Sequence, residues 1–412
     1  MQTPHFLGKG IPATLAENLR WIRSLALLAP TCGNLPLLLN TLNTHIIFPC
    51  LTTLVLDMFC VPPTVPIARL LSPTLTELTI INLCTDQYDD LFGAMALSEC
   101  KLRKLQLSTM HFLYPPPLAS VIAVPPGIVE YAAQHCILSG ELLERLLFEP
   151  NLTAVDITAD LDGIPWPVPT EYLTDRVPFP SLTSLSVTVT GDEQLAFVQT
   201  VLQAPHIVTQ LTELRVRMSV FIAALDPLLK LVNGLGALQH LELLHNYDEV
   251  VFEMPLELDT RVSLGALIAR DTLHTLILRN LVPEHSFWPW LASVGRRLVN
   301  LSVMVDSVPL DDSWFRLVGI EFHELACIID GLRHLNRLEV CFRTDFLRSE
   351  HVPELTRSFR RVSPLALYPH PSNMLHANED MAALFLLNTF PEIIILPPTH
   401  HLAMCCRHLR EI

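Results

Sequence analysis

The chain has 412 residues, of which half are hydrophobic and only 17% charged; that composition excludes a disordered polymer and supplies a large core. A formal net charge of −15 excludes a general phosphate-binding surface, because affinity for nucleic acid comes from lysine and arginine displacing counterions. The same bulk field repels an anionic membrane.

Taken in chain order, the sequence repeats one pattern, L-x-x-L-x-L. A weak copy starts at Ile22 and is followed by Leu51, Leu54, Leu56, then Leu75, Leu78, Ile80, then Leu102, Leu105, Leu107. A second weak copy uses Ile128, Tyr131 and Ala133. Strong copies resume at Leu152 (with Val155, Ile157), Leu182 (Leu185, Val187), Leu211 (Leu214, Val216) and Leu238 (Leu241, Leu243). Three more begin at Leu273, Leu298 and Leu335, a weak one at Val362, and a degenerate strand runs through Ile393, Ile394 and Ile395. First positions lie 24–30 residues apart, except for intervals of 35 after Leu238 and 37 after Leu298, which read as insertions. Periods of this size mark a solenoid in which each unit buries its apolar face against the next.

Each copy predicts one short strand whose side chains alternate between two faces. Positions 1, 4 and 6 enter the core and positions 3, 5 and 7 point away. A parallel neighbour requires a return of a dozen or more residues, usually helical, and apolar residues three and four apart predict helices over 88–97, 194–202, 224–232 and 288–294. The expected architecture is α/β, a leucine-rich-repeat solenoid: a curved horseshoe with parallel strands on its concave face and helices and loops on its convex face. Residues 1–20 form an N-terminal cap, 21–370 the repeat array, and 371–412 a C-terminal repeat and cap.

Proline provides the punctuation. It clusters at 115–117, 125–126, 165–169 and 397–398, read as rigid loops within the array. In FPCL (48–51) and FPSL (179–182) it precedes a strand and predicts an extended approach. The ninth repeat position, where asparagine or cysteine commonly satisfies loop backbone groups, is filled well by Asn246 and Cys136. Asp160, Ser219, Thr190 and Asp306 are substitutes there, whereas Leu83 and Leu281 cannot serve.

Repeats of the form FPSLTSLSV, uneven in length and with prolines ahead of the strands, resemble the leucine-rich regions of F-box proteins, especially the large fungal sets, over roughly residues 20–370. In that family an amino-terminal F-box binds the Skp1 adaptor of a cullin ubiquitin ligase and the repeats hold the substrate. The resemblance implies a protein–protein interaction scaffold, with substrate recognition for a ubiquitin ligase as its finer form. Residues 1–20 carry no L-P-x-E-[IL]-L opening, so a Skp1-like adaptor is expected only if an F-box is missing from this chain. The alternative is a fragment, or a divergent structural repeat protein with no dedicated partner and no ligase link.

No constellation for chemistry emerges, and neither an enzyme activity nor a cofactor is expected. His323, Glu324 and Cys327 fall one ligand short of the zinc motif H-E-x-x-H, and His400, His401, Cys405, Cys406 and His408 read as a terminal helix with a packed cysteine pair rather than a tetrahedral site. Gly8-Lys9-Gly10 is too short to cradle a phosphate. The ten cysteines include no C-x-x-C pair and read as reduced thiols. The N-terminus lacks the layout of a secretory signal, and no apolar run reaches about 18 residues. Sequons at Asn151 and Asn300 fall at strand starts, where a glycan fits poorly. Cytoplasm or nucleus is the expected location.

The outward positions 3, 5 and 7 are the candidate partner surface. Early repeats offer small groups such as Thr53, Val55, Ala154, Ser184 and Ser186. Later ones turn charged and bulky: Glu213, Arg215, Arg217, His240, Glu242, Arg279, Arg337 and Glu339. Arginine beside apolar neighbours is favoured at interface centres.

Overall fold

The computed structural model describes residues 19–28, 48–60, 67–83, 88–97, 99–109, 124–134, 136, 138–157, 177–218, 225–245, 256–258, 260–283, 286–304, 322–342, 365–369 and 393–395. The chain divides into two compact units, Met1–Phe197 and Val198–Ile412. The first holds strands β1 (Ser24–Leu27), β2 (Thr53–Asp57), β3 (Glu77–Leu83), β4 (Lys104–Thr109), β5 (Glu130–Gln134), β6 (Ala154–Ile157) and β7 (Ser184–Val189), with helices α1 (Tyr88–Leu97) and α2 (Gly140–Leu147). These strands lie side by side in chain order and every pair is parallel. The division falls within helix α3 (Asp192–Gln203).

The second unit continues with α4 (Pro205–Gln210), β8 (Glu213–Met218), α5 (Leu225–Gly234), β9 (His240–His245), β10 (Leu256–Leu258), α6 (Thr260–Ile268), β11 (Thr275–Arg279) and β12 (Leu281–Pro283). It closes with α7 (Phe287–Val294), β13 (Asn300–Met304), α8 (Phe322–Gly331), β14 (Arg337–Phe342), β15 (Leu365–Pro369) and β16 (Ile393–Ile395). Here too the main strands pair in parallel, in the order β8, β9, β11, β13, β14, β15, β16. The long interval after Leu238 carries its own addition, β10 paired with β12. All four return helices expected from the apolar spacing are present, as α1, α3, α5 and α7.

Burial explains the repeat. From Leu51 to Val340, no residue at positions 1, 4 or 6 is more than 6% exposed, while most outward positions alternate with them as half-buried or exposed, with buried exceptions such as Asp57, Ser302 and Glu339. Helix residues such as Leu142, Leu143, Leu146, Val198, Leu228 and Leu291 are equally buried and complete the core. Truncating any of these leucines to alanine costs about 2–5 kcal/mol. The fold is a leucine-rich-repeat solenoid.

Register is fixed where the strands begin. In the first unit the position-2 carbonyls of Arg23, Thr52, Thr76, Arg103, Val129 and Thr153 each accept two backbone N–H groups from the next repeat, at 2.7–3.2 Å. In the second unit Thr212, Gln239, His274 and Val299 do the same. A threonine at position 2 adds a third donor to that carbonyl: Thr52 Oγ1 to Arg23 at 2.9 Å, Thr76 to Thr52 at 3.1 Å, Thr153 to Val129 at 3.2 Å and Thr183 to Thr153 at 3.1 Å.

Two expectations about loops change. Proline does not lead the chain into the strand in extended form. The amides of Leu51, Leu152 and Leu182 donate to the carbonyls of Phe48, Glu149 and Phe179 at 3.2–3.3 Å, so Pro49, Pro150 and Pro180 sit second in four-residue turns, where their fixed φ is an advantage. Pro126 is followed by Gly127 at φ 78°, the proline–glycine pairing of a type II turn. In two repeats whose position 9 is leucine, an asparagine stands at position 8. Asn82 and Asn280 take left-handed φ values of 57° and 58°, which asparagine tolerates better than most residues. Asn82 Nδ2 donates to Asp57 Oδ1 at 3.0 Å and Asn280 Nδ2 to the carbonyl of His245 at 2.9 Å. That frees Leu83 and Leu281 for the core, where both are fully buried. Asn246, Asp160, Ser219 and Asp306 lie outside the described residues, as do residues 1–18 of the expected cap and the proline clusters at 115–117, 165–169 and 397–398.

Cys136 is buried and its Sγ donates to the carbonyl of Gln134 at 3.4 Å. Burial pushes its thiol up to about 12, against hydrogen bonds with Thr109 that act the other way. Cys50, Cys100, Cys136 and Cys327 are free thiols. Among the described residues no helix is long and apolar enough to cross a membrane.

Helices α7 and α8 approach closely at Gly331, where an added Cβ would lie 2.8 Å from both the carbonyl carbon and the Cβ of Ala292. Backbone cannot yield as a side chain can. Gly331→Ala is expected to destabilise the protein by about 1–3 kcal/mol, read as a lower urea midpoint; an unchanged midpoint would show that the helices separate freely.

Candidate interaction face

The eight charged residues singled out by position all stand at outward positions of the second unit's sheet, on β8, β9, β11 and β14. Register aligns them in rows. Glu213, His240, Thr275, Asn300 and Arg337 share the first row, and Arg215, Glu242, Ile277, Ser302 and Glu339 the second. Arg217, Leu244, Arg279 and Met304 form the third. Neighbours along a row stand one strand spacing apart, about 4.8 Å, so long side chains meet.

They meet in two clusters. Arg215 reaches Glu213 Oε1 at 2.5 Å and Glu242 Oε2 at 3.6 Å. His240 Nε2 lies 4.0 Å from the same Glu242 oxygen, beyond hydrogen-bond range, and this buried nitrogen has no other partner. His240 chiefly holds the Glu242 carboxyl below its usual range; partial burial opposes that, and the charges of Arg215 and Arg279 reinforce it. In the second cluster Glu339 is 8% exposed. Its Oε2 accepts from Ser302 Oγ at 2.9 Å and its Oε1 from Arg337 Nε at 2.9 Å, with a further bond from Arg337 Nη2.

These contacts separate the eight by what they offer. Glu339 is engaged on both oxygens, and Glu213 and Glu242 are committed to Arg215. Arg215, Arg217 and Arg337 are exposed, and Arg217 makes no ion pair or hydrogen bond with its side chain. Arg279 is half-buried between Leu244 and Met304. Reading only the charged positions missed Leu244 and Ile277, half-buried residues at the same outward positions that place apolar surface beside the arginines; Met304, in the same row as Leu244, is buried. Carrying the position-5 and position-7 reading through every repeat would have found them.

Among the described residues no group of three or more histidine, cysteine or acidic side chains is placed to hold a metal ion. In α8, Glu324 is buried and Cys327 exposed. Residues 1–18 and 396–412, with Gly8-Lys9-Gly10 and the carboxy-terminal histidine–cysteine cluster, lie outside the described residues.

No family model matches the chain. No curated protein matches it in sequence. Among solved structures, one of the Rad7 and Elc1 complex in yeast is similar, with 14% sequence identity and a TM-score of 0.37, covering 85% of this chain and 71% of that chain.

Glu242 supplies a pH test. A carboxylate whose folded pKa is depressed contributes stability that is present above its unfolded pKa and lost as pH falls through the folded value. Thermal stability of the wild-type protein should therefore fall from about pH 4.3 downward, and Glu242→Gln should show a shallower fall over that range. Parallel profiles would mean that the cluster around Arg215 does not hold together in solution.

Proposed function

We propose that this protein is a recognition scaffold, without catalytic chemistry or cofactor, that binds a protein partner across the open face of β8, β9, β11, β13 and β14. The observation that supports the reading most strongly is the exposure of Arg215, Arg217 and Arg337 on the outward positions of these strands. Parallel sheets are ordinarily covered on both sides, and solenoids are the architecture that leaves one strand face open as an extended binding surface. On this face the exposed guanidinium groups of Arg215, Arg217 and Arg337 share the rows with the half-buried Leu244 and Ile277, the mixture of arginine and apolar groups that interface centres favour. The net charge of −15 disfavours nucleic acid and anionic membranes as partners.

The finer form of the proposal is substrate recognition for a ubiquitin ligase, in the cytoplasm or nucleus. It is supported by the style of repeats such as FPSLTSLSV, which resemble those of F-box proteins, and it requires a Skp1-like adaptor bound elsewhere on the full-length protein.

The test compares partner binding by the wild-type chain, by an Arg217→Glu, Arg279→Glu variant, and by Lys230→Glu on α5 as a control. The face variant should lose at least about tenfold in affinity, some 1.4 kcal/mol, and the control none. Equal binding by all three would place the partner somewhere other than this face. For the ligase link, a Skp1-like adaptor should co-purify with the full-length protein, and its absence there would remove that finer reading.

A further inference from the structure

The turns that lead into β11, β13 and β14 enclose a recess of about 320 Å³ lined by His274, Arg297, Val299, Arg333, His334 and Asn336. We propose that this recess is a binding site for a phosphate-type oxyanion carried on an organic group. None of the eight charged residues of the open face lines it, so it is a second site, independent of the proposed partner surface.

Charge is the first argument. In a chain of net charge −15, the lining contains two guanidinium groups, two imidazoles and an amide, and no carboxylate. Arg297 pairs with Asp271, whose Oδ1 is 3.9 Å from Arg297 Nε with both side chains largely exposed. Such a pair contributes little and leaves the other N–H groups of Arg297 available. Arg333 makes no hydrogen bond or ion pair with its side chain.

Hydrogen-bond capacity is the second. The backbone here is already satisfied: the carbonyl of His274 accepts from the amides of Val299 and Asn300, and that of Val299 from Asn336 and Arg337, at 2.7–3.1 Å. With those two carbonyls occupied, the side chains of the lining bring chiefly N–H donors to the recess, and a donor-rich cavity selects an acceptor-rich ligand. A tetrahedral oxyanion supplies several acceptor oxygens with negative charge, and arginine binds such groups through two parallel N–H bonds.

The repeat supplies the third. Arg297 and His334 each occupy the residue just before position 1 of successive repeats, and His274 and Asn336 both occupy position 2. Equivalent positions in adjacent repeats stand about 4.8 Å apart; Arg297 and His334 are one such step apart, and His274 and Asn336 two, on either side of Val299, so three successive turns line one recess. The volume lies at the lower end of the 300–1,000 Å³ typical of small-ligand clefts, which leaves room for more than a bare ion.

The test is calorimetric titration at low ionic strength with two probes: inorganic phosphate, and a short phosphoserine peptide with neutral flanks beside its unphosphorylated twin. Saturable binding of the phosphopeptide but not its twin, weakened at least tenfold by Arg333→Glu and by Arg297→Glu and unchanged by Arg217→Glu, supports an esterified ligand. The same sensitivity with inorganic phosphate alone supports the site and assigns it to the free anion. Circular dichroism of each variant separates lost binding from lost structure. If neither probe saturates, or if both charge reversals bind like the wild-type protein, the proposal is overturned.

Discussion

Within each unit, from β1 to β7 and along β8, β9, β11, β13 and β14, each strand is held to the one before it at the same place, the carbonyl at position 2 of the repeat, which accepts two backbone amides and in several repeats a threonine hydroxyl as well. A single oxygen with three donors is a demanding arrangement. It works because the donors come from consecutive atoms of the following repeat, presented together by the tight turn ahead of the strand. The turn in turn is closed by the position-1 leucine, whose amide bonds back three residues while its side chain fills the core. Burial and register are therefore set by the same few residues, and the lengths of the return segments are left free. That freedom shows in the intervals of 35 and 37 residues, which leave the pairing of β9 with β11 and of β13 with β14 in the same register as elsewhere.

The same constraint arranges the outward face of the sheet. Once position 2 is aligned, positions 3, 5 and 7 fall into straight rows, and the chemistry of a row follows from whichever residues the repeats place there. Arg215 and Glu242 meet because they share position 5 in adjacent strands, and Ser302 meets Glu339 for the same reason. Part of the charge on the face is thereby spent internally, which fixes the long side chains in place and lowers the conformational entropy a partner must remove on binding. Arg217, on the row beyond, stays uncommitted.

Much of the fold was legible in the sequence because leucine at positions 1, 4 and 6 answers to a single physical requirement, burial, that is written residue by residue. The strands, their order, and helices such as α3 and α5 follow from it. What escaped were features that depend on backbone conformation or on a neighbour. Asn82 and Asn280 were overlooked because the comb was laid on position 9, whereas the left-handed turn sits at position 8. The threonine ladder was visible as a recurring L-T-x-L at Thr52, Thr76 and Thr183 and L-T-x-V at Thr153, but its meaning required knowing which carbonyl lies one repeat away. Of the face, the positions were legible and the pairings were not, since opposite charges in different repeats show nothing of their contact until the register is known. The cationic recess joins turns from three repeats and has no local signature at all.

The outward rows also act as a ruler. Their step across the sheet is about 4.8 Å, set by the hydrogen bonds between strands and indifferent to sequence. One turn of an α-helix rises about 5.4 Å. A helix laid across β8, β9, β11, β13 and β14 would drift by only about 0.6 Å per strand against these rows, so successive turns would each face a side chain of nearly equivalent position. An extended chain, rising about 3.3 Å per residue, would fall out of step within two residues. The spacing that holds the sheet together thus also determines which partner geometries can be read along it.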